Sequence, residues 1–235
     1  MTTKEVLKEL ESYGDSVIKN IYLNHDVKEP LFGVRIQDMK KILKKIKKNH
    51  EVSLELYSTG NYDAMYFAGL IADENKISKE DLIKWVNEAS NSGISEYTVP
   101  WIASESKFGY ELGLEWIESK NEAIASSGWC TLAYVASLNP DTELDLNVYQ
   151  KLLQRIEKNI HNSPNRVRYT MNGFVIAIGS YITELSNEAT KVAKNIGKVS
   201  VSMGNTACKV PLASEYIKKV ISKGKLGKKR KRARC

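Results

Sequence analysis

The chain has 235 residues, 42% of them hydrophobic and 27% charged, the balance of a globular protein long enough to bury a sizeable core. No apolar run approaches the roughly 18–20 residues that a membrane span needs, and the polar start Met-Thr-Thr-Lys-Glu-Val speaks against a secretory leader. Three distant cysteines (Cys130, Cys208, Cys235) speak against a disulfide framework and fit a reducing compartment, so a cytoplasmic location is expected, nucleoid-associated if the source is bacterial.

Helical periodicity dominates. Val6, Leu7 and Leu10 share a face over residues 4–12, with Thr2 and Glu5 in capping-box spacing. Val17, Ile18, Ile21 and Tyr22 form the next stripe, over 15–24. Over 36–48, Met39, Ile42, Leu43 and Ile46 recur at i, i+3, i+4 and i+7. Lys40, Lys41, Lys44, Lys45, Lys47 and Lys48 crowd the opposite face. Helices are predicted near 52–59 and 61–73, then one opened by Ser78 and Asp81, then 95–104, 108–118 and 121–137. Asn139-Pro140-Asp141 is read as a loop between helix pairs. Residues 145–161 carry Leu146, Tyr149, Leu153, Ile156 and Ile160 on one face. Ser163 is read as an N-cap and Pro164 as the first residue of a long helix bearing Val167, Met171, Phe174, Ile178, Ile182 and Leu185. Two more helices are predicted near 187–196 and 212–222, and the short alternating run Val199–Met203 between them is read as loop or helix start. About a dozen helices with short links make an all-α fold, and periodicity alone leaves bundle and solenoid both open.

Charge is concentrated at one end. Residues 223–234 hold eight cations, Lys223, Lys225, Lys228, Lys229, Arg230, Lys231, Arg232 and Arg234, and the rest of the chain has 27 basic against 28 acidic residues. We expect a single helical domain over 1–222 and a mobile basic tail over 223–235 that seeks polyanions. Arg166 and Arg168 stand at the start of a helix, where the dipole disfavours cations, which points to an anion such as a phosphate docking there. The alternative is neutralisation by Glu157 or another acid. Lys209 adjoins Cys208, which is read as a small buried residue. Trp85 and Trp116 are assigned to the core. Trp101 and Trp129 are left open, since Pro100 and Gly128 precede them. The scattered His25, His50 and His161 form no metal-ligand pattern, and phosphate-binding glycine loops and the Gly-x-Ser-x-Gly elbow are missing, so neither metal nor nucleotide cofactor is expected.

The segment Phe32-Gly33-Val34-Arg35-Ile36, running into Met39-Lys40-Lys41-Ile42, resembles the entry segment of AlkD-type DNA alkylation repair proteins. The similarity continues through Trp116-Ile-Glu-Ser119-Lys-Asn121, Asn165-Arg-Val-Arg168 and Ala177-Ile178-Gly179, to about residue 195. It implies a right-handed α-solenoid of stacked antiparallel helix pairs, a HEAT-like superhelix. It also implies a relationship to DNA glycosylases that excise N3- and N7-alkylated purines without flipping the base into a pocket.

The departures sit at the chemistry. Where active relatives have a Trp-Asp-x-Val-Asp-like motif, this chain reads Glu96-Tyr97-Thr98-Val99-Pro100, with Pro100 at the catalytic acid and Glu96 at the first Trp. The second Trp position is Ser180, and no Lys or Arg lies between Lys120 and Lys151 to supply the family's Arg. An oxocarbenium-like transition state needs a carboxylate beside it, and Asp is missing between Asp81 and Asp141. We therefore expect a monomeric DNA-binding protein with weak or no base excision, acting on duplex DNA, alkylated or otherwise distorted duplexes included. The expected contacts are Lys40, Lys41, Lys44, Lys45, Lys48, Arg166, Arg168, Lys209, Lys228, Lys229, Arg230, Lys231 and Arg232. The first alternative is an active glycosylase with a substitute acid, Glu96 or Glu105, and Tyr97 or Trp101 as stacking partner. The second is a protein-interaction scaffold.

Overall fold

A computed structural model describes residues 1–89 and 91–234, so Cys235 lies outside the described residues. Among these there are thirteen α-helices and no strand. They are α1 (Thr3–Ser12), α2 (Ser16–Asn24), α3 (Ile36–Ile46), α4 (His50–Tyr57), α5 (Tyr62–Ile71), α6 (Lys79–Glu88) and α7 (Val99–Glu105). There follow α8 (Gly109–Trp116), α9 (Glu122–Leu138), α10 (Leu146–Asn159), α11 (Asn165–Tyr181), α12 (Ser186–Ile196) and α13 (Ala213–Ser222). None is long and apolar enough to cross a membrane.

Local chemistry starts several helices where the spacing predicts. Thr2 and Glu5 close a full capping box on α1, and Ser78 and Asp81 do so on α6. Asn49, Asn61 and Asn121 cap α4, α5 and α9 through their side-chain oxygens. The long helix α11 departs from expectation by one residue: Pro164 is its extended N-cap and Asn165 its first residue.

From α4 onward the helices pair as α4/α5, α6/α7, α8/α9, α10/α11 and α12/α13; short links make α4/α5, α8/α9 and α10/α11 antiparallel neighbours, while the longer 197–212 segment joins α12 to α13. The second members form an inner row in which α5, α7, α9, α11 and α13 each pack on the next. Close approach along this row rests on glycine. A Cβ on Gly69 would meet Thr98 at 2.7 Å, and one on Gly179 of α11 would meet Ile217 of α13 at 2.5 Å. Two apolar clusters fill the interior, one from α1 to Trp116 and one from Ile117 to α13. The division falls at the end of α8, with α9 packing on both sides of it, and Asn139–Asp141 lies in the loop between the pairs α8/α9 and α10/α11. All four tryptophans are buried, so Trp101 and Trp129 join Trp85 and Trp116 in the core.

The Phe32–Val34 segment is fixed by a buried carboxylate. Asp63 of α5 accepts the backbone N–H groups of Phe32, Gly33 and Val34 at 2.6, 3.0 and 2.8 Å. Gly33 has φ +81°, and a Cβ there would meet the Lys19 backbone nitrogen at 2.6 Å. The familiar entry motif thus joins α2 to α5.

The basic tail, expected to be mobile, is laid down as a strap. Gly224, at φ +61°, ends α13, with Lys225 N–H donating to Val220 O and Gly224 N–H to Ile221 O. The chain then crosses the C-terminal ends of the inner row in reverse order. Gly227 N–H donates to Ser180 O of α11 at 3.0 Å. Lys229 Nζ donates to Ala136 O, and Arg230 N–H to Ser137 O, both on α9, at 2.8 Å. Ala233 N–H donates to Glu105 of α7 at 2.6 Å. Arg234 ends the strap at α5, where its Nη1 donates to Gly69, Leu70 and Ala72 carbonyls. The physical reason is electrostatic: the last carbonyls of a helix lack intrahelical donors, and the dipole favours cations there.

Candidate nucleic-acid interface

The inner row presents a groove with one cavity toward the helix N-termini and another toward the C-termini, both lined by Tyr97 and Tyr169. At the first end lie Lys28, Lys209 and the loop after α12. That loop reaches back to α2, where Asn205 N–H donates to Asn24 O at 3.1 Å. Cys208 lies exposed in it, correcting the expectation of burial.

The centre of the groove is built by Pro100. Tolerated in the first turn of α7 but lacking an N–H and clashing with the carbonyl of Glu96 four residues back, it disfavours a regular α-helical ladder through the preceding turn. Residues Ile94–Thr98 instead form a π turn, in which Val99 N–H donates to Ile94 O. Pro100 itself is buried.

The turn carries Glu96 inward, where only 2% of it is exposed. Arg166 of α11 meets it with a two-pronged pair, Nε to Oε1 at 2.7 Å and Nη2 to Oε2 at 2.6 Å. The Arg166 guanidinium also lies over the Tyr169 ring at 4.5 Å. Burial pushes the Glu96 carboxyl above its ordinary range, opposed by the facing guanidinium. The Arg166 N–H at the start of α11 is taken by Glu122 Oε1 at 2.5 Å. The anions expected at this helix end are therefore two of the protein's own carboxylates, and Arg166 is corrected from phosphate ligand to internal partner. Glu157, named as a neutraliser, instead accepts from Asn195. Arg168 is half-buried and donates to Asn165 Oδ1 at 3.4 Å.

Glu105 is consumed in the same way. Arg234 donates to its Oε2 from Nε at 3.0 Å and Nη2 at 2.7 Å, and also pairs with Glu74. Both candidate acids thus face an arginine. Trp101 is corrected as a stacking platform: it is 1% exposed and donates Nε1–H to Tyr134 Oη at 3.2 Å. Tyr97, 40% exposed, alone of the four catalytic candidates reaches the surface.

The cations divide into spent and available. On α3, Lys41 pairs with Asp38 at 2.6 Å and Lys45 with Glu9, and just past its end Lys48 pairs with Glu74 at 2.5 Å. Among the described residues, Lys40 and Lys44 have no ion pair and are exposed. On the strap, Lys229 pairs with Asp141 at 2.7 Å, and Arg230 lies over Tyr134 at 5.4 Å. Lys225, Lys228, Lys231 and Arg232 are exposed, with no ion pair among the described residues. Folding brings Lys47 and Lys48 of the α3 end beside Arg232 and Arg234. A basic edge therefore runs along the C-terminal side of the groove. Such an edge can hold phosphates without specifying sequence. Lys225 was read only as part of the basic tail, and of the tyrosines of the groove only Tyr97 was singled out from sequence. Their signal is a stripe of small residues, Cys130, Ala133 and Ser137 on α9 and Gly173, Ala177 and Ser180 on α11, at helical spacing where large apolar residues are usual.

Comparison with known proteins agrees with this architecture. A protein-family model described as DNA alkylation repair enzyme matches residues 6–210. The uncharacterized protein Lmo0209 of Listeria monocytogenes is 35% identical over 231 residues, covering 96% of this chain and 100% of its own. Lin0241 of Listeria innocua is 34% identical over 225 residues, covering 93% and 97%. One solved structure, 38% identical with a TM-score of 0.91 and full coverage of both chains, is described as a new family of proteins related to the HEAT-like repeat DNA glycosylases with affinity for branched DNA structures. With its stacked helix pairs, its grooved inner row and a match across most of its length, the chain belongs to the DNA alkylation repair family and has a HEAT-like repeat fold related to that of the HEAT-like repeat DNA glycosylases.

Proposed function

We propose that the protein binds DNA along the groove, branched structures in preference to plain duplex, and does not excise alkylated bases. The observation that carries the second half is the pairing of both candidate acids: Glu96 with Arg166 and Glu105 with Arg234. A carboxylate neutralised by a guanidinium cannot stabilise a developing sugar cation as a free one does. Pro100 at the family's acid position offers no charge. The first half is supported by the unpaired cations along the C-terminal edge and by the affinity described for the relative of solved structure. The same cations disfavour a scaffold for acid-poor protein partners. The groove is complete within one chain, which supports action as a monomer.

The test is a binding titration on a four-way junction and on a duplex of the same sequence, beside an excision assay on DNA carrying 7-methylguanine and 3-methyladenine. Tighter junction binding and excision no faster than spontaneous loss are expected. Excision well above that rate, abolished by Glu96→Gln, would overturn the reading.

A further inference from the structure

The C-terminal end of the groove holds a half-enclosed cavity of about 440 Å³ between α9, α11, α13 and the strap. Its volume is in the range that holds small organic ligands. Tyr97, Tyr134, Tyr169, Tyr181 and Tyr216 supply its walls. Lys225, Lys228 and Arg230 stand along the strap side.

One feature of α11 shows that this space is built. Gly173 lies inside the helix, where glycine is unfavourable. Other helical glycines answer to crowding: a Cβ on Gly69, Gly113, Gly128 or Gly179 would meet a neighbour at 2.7, 2.8, 2.6 or 2.5 Å. A Cβ on Gly173 meets nothing within 4 Å and would enter the cavity. Two turns on, the small residue Ser180 also lines the cavity.

The required occupant is flat and attached to negative charge. Aromatic walls take the face of such a ring, and the strap cations take the charge. The cations do not stop at the cavity, since Lys231, Arg232 and Lys47 continue along the groove edge. A line of cations fits a chain of phosphates better than a single one.

We propose that this cavity receives one unstacked nucleobase of a DNA strand, with its flanking phosphates on the strap cations. The proposal rests on the reading that the protein binds branched DNA, in which bases at the branch point lack partners.

The full-length protein is titrated with a three-way junction carrying two unpaired bases at the branch, and with the same junction bearing abasic residues there. Loss of base stacking is expected to weaken binding by about 5- to 100-fold on the abasic junction. Gly173→Leu, which fills the cavity, is expected to bind both junctions equally, at the wild-type abasic level. Gly173→Ala, with one methyl, reports whether the helix tolerates substitution. If Gly173→Leu fails to fold, the abasic comparison on the wild type decides alone. Equal wild-type affinity for the two junctions overturns the proposal, and so does a Gly173→Leu protein that still discriminates between them. Deoxyadenosine monophosphate binding as tightly as the junction would overturn the assignment to a DNA strand. If the wild type binds no DNA, the underlying reading fails as well.

Discussion

Glu96 and Glu105 flank the same short helix, and each is bound by an arginine, but the two pairs are held on opposite terms. Glu96 meets Arg166 in the first turn of α11, where the helix dipole opposes a cation, and two carboxylates, Glu96 and Glu122, are needed to hold that end. Glu105 meets Arg234 at the C-terminal ends of α5 and α7, where bare carbonyls favour the cation. The first pair joins two helices of the folded body. The second depends on the last residues of the chain, which can peel away without unpacking a helix. A neutralised carboxylate in this fold is therefore either part of the interior or the socket of a strap, and the two should respond differently to mutation.

The largest effect is expected at the interior pair. Arg166→Ala leaves Glu96 buried without its partner and should lower unfolding stability by about 3–5 kcal/mol in urea denaturation. Adding Glu96→Leu should recover most of that loss. An Arg166→Ala loss of unfolding free energy under about 1 kcal/mol would show that the pair is not interior in the energetic sense.

The strap should matter for binding more than for folding. Deleting residues 225–235 removes the four cations Lys225, Lys228, Lys231 and Arg232 that have no ion pair among the described residues. The slope of log K against log salt on duplex DNA should fall by about 3–4, at roughly 0.9 per phosphate contact. An unchanged slope would mean that these cations never meet phosphate.

Arg234→Ala should destabilise by about 1–3 kcal/mol, less than the interior pair, through the orphaned carbonyls and Glu105. Its sharper readout is local: trypsin should cleave after Lys228–Arg232 much faster than in the wild type. Equal cleavage rates would show that the strap is not anchored at its end. The smallest effect is expected at Gly173→Ala, which should raise stability by about 0.5–1 kcal/mol, since the new methyl group meets nothing. A melting temperature below that of wild type would show that the open space at Gly173 is already filled.

The helices were legible from sequence because their causes are local. Thr2 with Glu5, Ser78 with Asp81, and the Met39–Ile46 stripe all act within a turn or two of their own positions. Even the misplaced start of α11 is a one-residue error caused by Pro164 taking an extended backbone. The charge block at the C-terminus was equally visible, and so was the loss of the family's acid at Pro100. What these charges do was not visible. Arg166 finds Glu96 across 70 residues, and Arg234 finds Glu105 across 129 and the Ala72 carbonyl across 162.

Sequence by itself determined the helical periodicity and the net charge, because each is written in residue identity and short-range spacing, and the family resemblance located the missing catalytic groups. Only the tertiary structure decided which carboxylates are free, where the basic tail lies and that a tyrosine-walled cavity opens at Gly173. Those outcomes depend on which helix ends the packed solenoid brings together. A buried charge takes the partner that the packing places beside it, whatever its distance along the chain.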